Sequence, residues 1–516
     1  MPNTFSLRCR LALIALLLVV TSACTSVPFD DPKNASTALP ADTVTPLGEI
    51  GLRWQEEHGE LSGIWPLNDG IGALGARLSL MGKAQSSVDA QYFIVKKDRA
   101  GALFVGTILL AADRGVRIRL LIDDIFSPGV DQPLSLLNSH PNVEVRLFNP
   151  LSRQSFKYWS YLLDFERANR RMHNKSFTVD NTLTIVGGRN IGEEYFELNQ
   201  DVKFDDLEVL AIGPVVGQVS DAFDQYWNSE LAVPIEAFGI KTDPGRLDKW
   251  RSNILAEIDL GAKGVYGKAI NSSLVQDIRE QTVRPLATRA VMVSDSPEKL
   301  LNTVGEADHA ILGQEKLSRF HAAQREVIII TPYFIPLDGG SRLLEELLAR
   351  GVRVVIVTNS LASTNHVPVY ASYVRYRKRL LQAGAEFYEV RASYQGGENA
   401  LGNRPEMVTL HTKATLVDRQ SVFVGSLNFD PRSFLINTEM GLFIDSDEIA
   451  ASMTDIVSAE LPQATYKVDL DEKGKVRWSY PADREPVEVL YKAPQSSWGR
   501  RFMAGFYRLL PLENQL

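Results

Sequence analysis

Two copies of one short pattern bring together side chains that can work on phosphorus. His173-Asn174-Lys175 is followed, after four residues, by Asp180, and His411-Thr412-Lys413 is followed at the same spacing by Asp418. Asn190 lies 17 residues after His173, and Asn428 lies 17 after His411. Gly187-Gly188 and Gly425-Ser426 also recur at matching offsets. If the two copies meet, two lysines and two amides supply donors for the non-bridging oxygens of one phosphodiester. One histidine would attack phosphorus; the other would protonate the departing alkoxide and then deprotonate the acceptor. Each imidazole needs a partner that fixes its tautomer and supports its charge. Candidate carboxylates occur in both halves, Asp206 in Phe204-Asp205-Asp206-Leu207 and Glu439 in Asn437-Thr438-Glu439-Met440. A lone H-x-K is usually an exposed polar pair; the joint recurrence of His, Lys, Asp, Gly and Asn is what makes the set catalytic. Within the candidate catalytic set His173, Lys175, Asp180, His411, Lys413 and Asp418, the two aspartates read as turn formers rather than as acids or bases.

These residues need a scaffold that aims them at one point. Alternate residues of a strand face one side, so a His and a Lys two apart reach the same ligand. The repeat extends upstream of the motifs. Apolar strands at 88–94 and 327–335 are each followed by a helical stretch ending in Arg-Gly, at Gly115 and Gly351. Further strands follow at 116–122 and 352–357, then at 143–148 and 385–390. Strand-helix alternation at this spacing predicts βαβ units, hence an α/β fold with a mostly parallel sheet in each half. Gly70-x-Gly72-x-x-Gly75 has dinucleotide-loop form, but no apolar strand precedes it, and it reads as a loop before a helix. The aromatic and basic stretches 157–161 and 370–379 read as core with a charged face, or as a wall meeting lipid headgroups.

The 516 residues exceed one ordinary core. A net charge of −8 argues against a nucleic-acid partner, since phosphate binding needs concentrated Lys and Arg. The two cysteines, Cys9 and Cys24, lie in the N-terminal segment, leaving the body without a disulfide or cysteine metal site. None of the seven histidines forms a close ligand pair, so a mechanism without metal or cofactor is expected. Arg8 and Arg10 precede an apolar run from Leu11 to Val20, then Thr21-Ser22-Ala23-Cys24. That pattern is a signal peptide resembling a bacterial lipoprotein leader, with Thr21 where Leu is usual, and it predicts lipidation of Cys24. Trp498, Phe502, Phe506, Leu509 and Leu510 fall on one helical face beside Arg500, Arg501 and Arg508, the pattern of an interfacial or docked amphipathic helix.

The paired H-x-K-x4-D-x6-G-[GS]-x-N motif, with flanking segments such as 169–177, 186–192 and 428–433, resembles the phospholipase D superfamily. Within it the chain is similar to the bacterial cardiolipin synthases. The resemblance implies two duplicated halves with one active site at their interface and a covalent phosphatidyl-histidine. It implies His173 as nucleophile, His411 as general acid and base, and Lys175, Lys413, Asn190 and Asn428 as phosphate holders. It places Asp206 and Glu439 each behind the histidine of its own half. The expected organisation is a signal peptide at 1–24, a flexible linker at 25–47 and a first half at 48–240 with its motif at 167–194. A connector at 241–290, a second half at 291–460 with its motif at 405–432, and a tail at 461–516 complete it. The expected activity is phosphatidyl transfer between phospholipids at a membrane surface, on the periplasmic side of a bacterium, giving cardiolipin. A hydrolase or nuclease of the same superfamily and a non-catalytic lipid-binding lipoprotein are the alternatives. The sequence names no protein partner.

Overall fold

The computed structural model describes residues 27–125, 129–153, 161, 163–280, 284–301, 310–393, 405–481 and 487–516. The leader with Cys24, and most of the aromatic stretch 157–161, lie outside these residues.

The first half is built from β1 (Ser62–Leu67), β2 (Ser87–Tyr92), β3 (Arg117–Asp123), β4 (Val143–Phe148), β5 (Ser176–Val179), β6 (Leu183–Gly187), β7 (Val202–Asp205), β8 (Glu208–Ile212) and β9 (Ala232–Pro234). The second uses β10 (Leu286–Ser294), β11 (Glu326–Ile330), β12 (Arg353–Asn359), β13 (Glu386–Val390), β14 (Met407–Leu410), β15 (Ala414–Val417), β16 (Ser421–Gly425) and β17 (Met440–Asp445). The chain then adds β18 (Thr465–Leu470), β19 (Val476–Tyr480) and β20 (Glu488–Leu490). The helices that matter below are α1 (Gly70–Lys83), α2 (Arg99–Asp113), α3 (Val215–Asn228), α4 (Val265–Ile270), α5 (Val367–Ala383) and α6 (Trp498–Tyr507).

In each half three strands run parallel, β2-β3-β4 and β11-β12-β13. Each motif strand lies antiparallel beside the first of them, β5 on β2 and β15 on β11. Each motif strand then returns through its neighbour, β6 or β16. The halves are joined edge to edge, because β10 pairs with β1 on one side and with β17 on the other. The result is one 18-stranded sheet. Burial reinforces the join, since Val186, Val209 and Val219 pack in one cluster with Leu416, Val424, Leu442 and Ile444. Non-directional apolar burial thus fuses the two repeats into one body.

Four expectations change. Residues from 27 onward are not a free tether, since Lys33 Nζ donates to Ser229 O at 2.6 Å and Arg146 Nη2 to Asn34 O at 2.6 Å. Arg119 Nη1 reaches Ser36 O at 2.9 Å, so the segment is strapped across the first half. The connector does not run to 290, because β10 begins at Leu286 and joins the halves. The second half does not end at 460, because β18 extends its sheet antiparallel to β13, as β9 does on β4. Finally, Gly70, Gly72 and Gly75 lie inside α1, capped by Asp69, rather than in a loop. A Cβ on Gly75 would sit 2.0 Å from Ala269 O, so this glycine lets α4 pack directly on α1. The stretch 370–379 is core with a charged face: Tyr373 and Arg377 of α5 are buried against Glu389, while Arg375, Lys378 and Arg379 are exposed.

Candidate active site

Each motif strand carries its Asp at the far end, away from the chemistry. Asp180 Oδ1 and Oδ2 accept from the backbone N–H groups of Gln85, Ser86 and Ser87 at 2.8–3.2 Å. Asp418 does the same for Gln324, Arg325 and Glu326 at 2.7–2.9 Å. Both aspartates adopt positive φ, as do the residues after them, in the turns that reverse the motif strands. They anchor β2 and β11 and leave the catalytic set, in line with their reading as turn formers.

At the near end the halves cross. β7 leaves the large sheet and pairs parallel with β14, with Asp205 level with Leu410. His411 N and Thr412 N both donate to Asp205 O, at 2.7 and 2.9 Å. One residue further along, Asp206 lies beside His411, with Oδ2 2.5 Å from Nδ1. The other junction follows the same rule. Met172 forms a parallel bridge with Thr438, and His173 N donates to Thr438 O at 2.9 Å. One residue on, Glu439 Oε2 lies 2.8 Å from His173 Nδ1. The own-half assignment of the two carboxylates is therefore overturned: Asp206 serves His411 and Glu439 serves His173. Parallel pairing across the interface is the physical cause, because it sets each carboxylate level with the opposite histidine. A carboxylate on Nδ1 keeps the proton there and leaves the Nε2 lone pair for chemistry.

The small residues of the motif make room for these carboxylates. A Cβ on Gly188 would fall 2.3 Å from Asp206 Oδ1. Its counterpart, Ser426, instead donates its hydroxyl to Glu439 Oε2. Aromatic rings close the site against water. Phe93 meets His173 edge-on at 4.9 Å, while Phe204 stacks on His411 at 5.2 Å and Tyr195 meets it edge-on at 5.2 Å. The sequence reading did not single out these rings, although Phe204 stands in the quoted segment around Asp206 and Phe93 in the quoted first strand.

Lys175 and Lys413 are buried beside the imidazoles, each with its ammonium on the backbone carbonyl of its own histidine. Burial pushes Lys175 down to about 7 and Lys413 down to about 8. Burial, then the charges of Lys175 and Lys413, holds His173 well below its ordinary value. Burial and Lys413 take His411 down to about 3, although Asp206 acts in the opposite direction. The two carboxylates part ways. Burial pushes Glu439 up to about 7, whereas at Asp206 the effect of burial is outweighed by His411 and Lys413, which leave it below the usual carboxylate value. The site thus sets the buried Lys175 and Lys413 against one carboxylate held below its usual range, Asp206, and one pushed up to about 7, Glu439, and an anionic phosphate would be drawn to the positive charge that remains.

The two asparagines differ. Asn190 is committed to the scaffold, with Oδ1 accepting from Ile94 N at 3.1 Å and Nδ2 donating to the Tyr195 hydroxyl at 2.9 Å. Asn428 keeps a buried Oδ1 with no partner among the described residues. Of the pair, only Asn428 has an amide oxygen left unspent.

Comparisons with known proteins agree with this architecture. Residues 78–227 and 317–460 match the family described as cardiolipin synthase, PLD-like domain, one segment per half. The chain is 36% identical over 465 residues to cardiolipin synthase C of Escherichia coli K12, covering 89% of this chain and 97% of that protein. It is 24% identical over 405 residues to a cardiolipin synthase of Oceanobacillus iheyensis, covering 78% of this chain and 70% of the relative. Among solved structures, the phosphatidylserine synthase of Haemophilus influenzae superposes with a TM-score of 0.56 at 14% identity, over 90% of this chain and all of that one, a likeness of fold. With both halves matched and the paired motif complete, the chain belongs to the cardiolipin synthase family of phospholipase D-like enzymes.

Proposed function

We propose that this enzyme moves a phosphatidyl group from one phospholipid to the hydroxyl of another through a phosphohistidine, giving cardiolipin when phosphatidylglycerol is the acceptor. The observation that carries the reading is the pair of buried imidazoles, each backed by a carboxylate from the opposite half, with two buried lysines between them. In the first step Nε2 of His173 attacks phosphorus, the P–O bond to the leaving alcohol breaks, and His411, which enters the step as an imidazolium supported by Asp206 and the bound phosphodiester anion, gives that alcohol the proton on its Nε2 and is left neutral. In the second, His411 takes the proton of the acceptor hydroxyl, whose oxygen displaces His173 from phosphorus. The differing carboxylates support this division of labour. Asp206 stays ionised beside His411, which suits a group that must carry an imidazolium. Glu439, held near neutrality, is a weaker anion beside His173, which suits an imidazole that attacks in its neutral form. Lys175, Lys413 and the amide Nδ2 of Asn428 would donate to the non-bridging oxygens.

Among the described residues no helix is long and apolar enough to cross a membrane. The leader sequence supports attachment by a lipidated Cys24 on the periplasmic side, a form that mass spectrometry of the mature protein would detect. The deciding assay mixes purified protein with phosphatidylglycerol vesicles, with and without phosphatidylethanolamine, and follows the lipids formed. Cardiolipin is the expected product, with acid-labile phosphate on His173 after a rapid quench. No cardiolipin in any mixture, with cleavage of DNA or release of phosphatidic acid instead, refutes the reading.

A further inference from the structure

We propose that α6 and the tail after it form a docking surface for an anionic lipid bilayer, seated beside the catalytic site. The proposal deepens the phospholipid reading above and rests on it. One face of α6 is uncovered: Trp498 is 73% exposed and Phe502 59%, with Phe506 also exposed, and Leu509, just beyond the helix, is 81% exposed. Large apolar side chains concentrated in this way on a single face of a short helix mark a binding surface rather than ordinary surface scatter. The opposite face is docked. Arg500 donates to Leu361 O at 2.9 Å and to Thr364 O at 2.5 Å, and Ala504 packs on the second-half core. The tail is fixed as well, with Glu513 held by Tyr376 at 2.7 Å and by Arg375 at 2.5 Å. The apolar face therefore points outward because its back is anchored.

Charge selects the occupant. Between residues 491 and 512 the chain carries Lys492, Arg501 and Arg508, besides the docked Arg500, and no Asp or Glu, within a protein of net charge −8. Basic residues interleaved with aromatics fit the headgroup region of an anionic bilayer. Position supplies the second argument. Gln515 accepts from Arg432 at 2.6 Å through its carbonyl and from Asn169 at 2.8 Å through its amide oxygen. Asn169 lies four residues before His173, and Arg432 four after Asn428, so the tail straps together the segments that lead into the two motifs. Leu435, on the same turn as Arg432, and Phe165, in the helical turn that ends on Asn169, are exposed around this junction. A bilayer on α6 would present its headgroups where the phosphate must go.

The test uses the full chain with vesicles of phosphatidylglycerol carrying brominated acyl chains, which quench a tryptophan that inserts. The wild type should lose fluorescence that the Trp498→Phe variant does not lose, and brominated phosphatidylcholine should produce less of this difference. Identical quenching of the two proteins overturns the proposal. Phe502→Glu combined with Phe506→Glu should lower turnover on vesicles at least about tenfold while sparing short-chain phosphatidylglycerol dispersed as monomers. Equal loss on both lipids, or none on either, also overturns it. A dimer that Phe502→Glu dissociates, without lipid quenching, assigns the face to a second copy instead. Quenching needs no turnover, so a quenched enzyme that forms no cardiolipin sinks the transfer reading and leaves the docking surface standing.

Discussion

Replacing Asp206 with Asn keeps the shape of the side chain and removes the buried negative charge that His411 and Lys413 share. Asp206 is fully buried, 2.5 Å from His411 Nδ1. Removing one partner of such a pair costs about 3–5 kcal/mol. If that falls on the step in which His411 carries the proton, then at about 1.36 kcal/mol per tenfold, turnover drops by roughly two to four orders of magnitude. The spectroscopic readout is the imidazole nitrogen resonances, assigned with His411→Gln and His173→Gln. Asp206 raises the pKa of His411 by charge and hydrogen bond, so its loss takes the His411 imidazolium to still lower pH. On His173 the same carboxylate acts only at a distance, after burial and the two lysines, so that resonance should move less. Glu439→Gln should move the His173 resonance more than that of His411, but by less than Asp206→Asn moves His411, because Glu439 is the weaker anion. A larger shift at His173 than at His411 in Asp206→Asn, or a loss in turnover below tenfold, would refute the crossed pairing as the working arrangement.

Asp180→Ala strands three backbone N–H groups and should lower unfolding stability by about 2–4 kcal/mol, while activity per folded molecule is retained; a large fall in turnover at unchanged stability would restore the aspartate to the chemistry. Burial lowers the two lysines proposed to hold the phosphate, so kcat/KM should fall as pH rises through about 7 to 8, where Lys175 and Lys413 lose their protons. Lys175→Arg, whose cation does not titrate there, should carry that alkaline limb upward, and a limb that stays in place counts against the lysines. Asn428→Ala should raise KM with little change in melting temperature, whereas Asn190→Ala should destabilise, because it strands Ile94 N and the Tyr195 hydroxyl. Matching effects from the two asparagines would contradict their different surroundings.

The sequence alone determined the duplication and singled out the paired histidines and lysines. His173, Lys175, His411 and Lys413 are legible because a strand shows alternate residues to one side, a rule that needs no tertiary information. Parallel β2-β3-β4 and β11-β12-β13 were legible from apolar runs separated by helices that stop at glycine. The scaffold role of Asp180 and Asp418 was legible as turn chemistry, though not the three backbone groups that each one holds. What only the tertiary structure decided is which carboxylate serves which histidine. That choice depends on β7 leaving its own sheet to pair with β14, and on Met172 bridging Thr438, both contacts between segments more than 200 residues apart. Local propensity has no access to such register. The same holds for Gly75, whose role appears only when α4 packs against it, and for the segment strapped over the first half by Arg119 and Arg146. The face of α6 was written in its spacing, but its exposure was settled by Arg500, which anchors the reverse side, and by Glu513, which holds the tail beyond it.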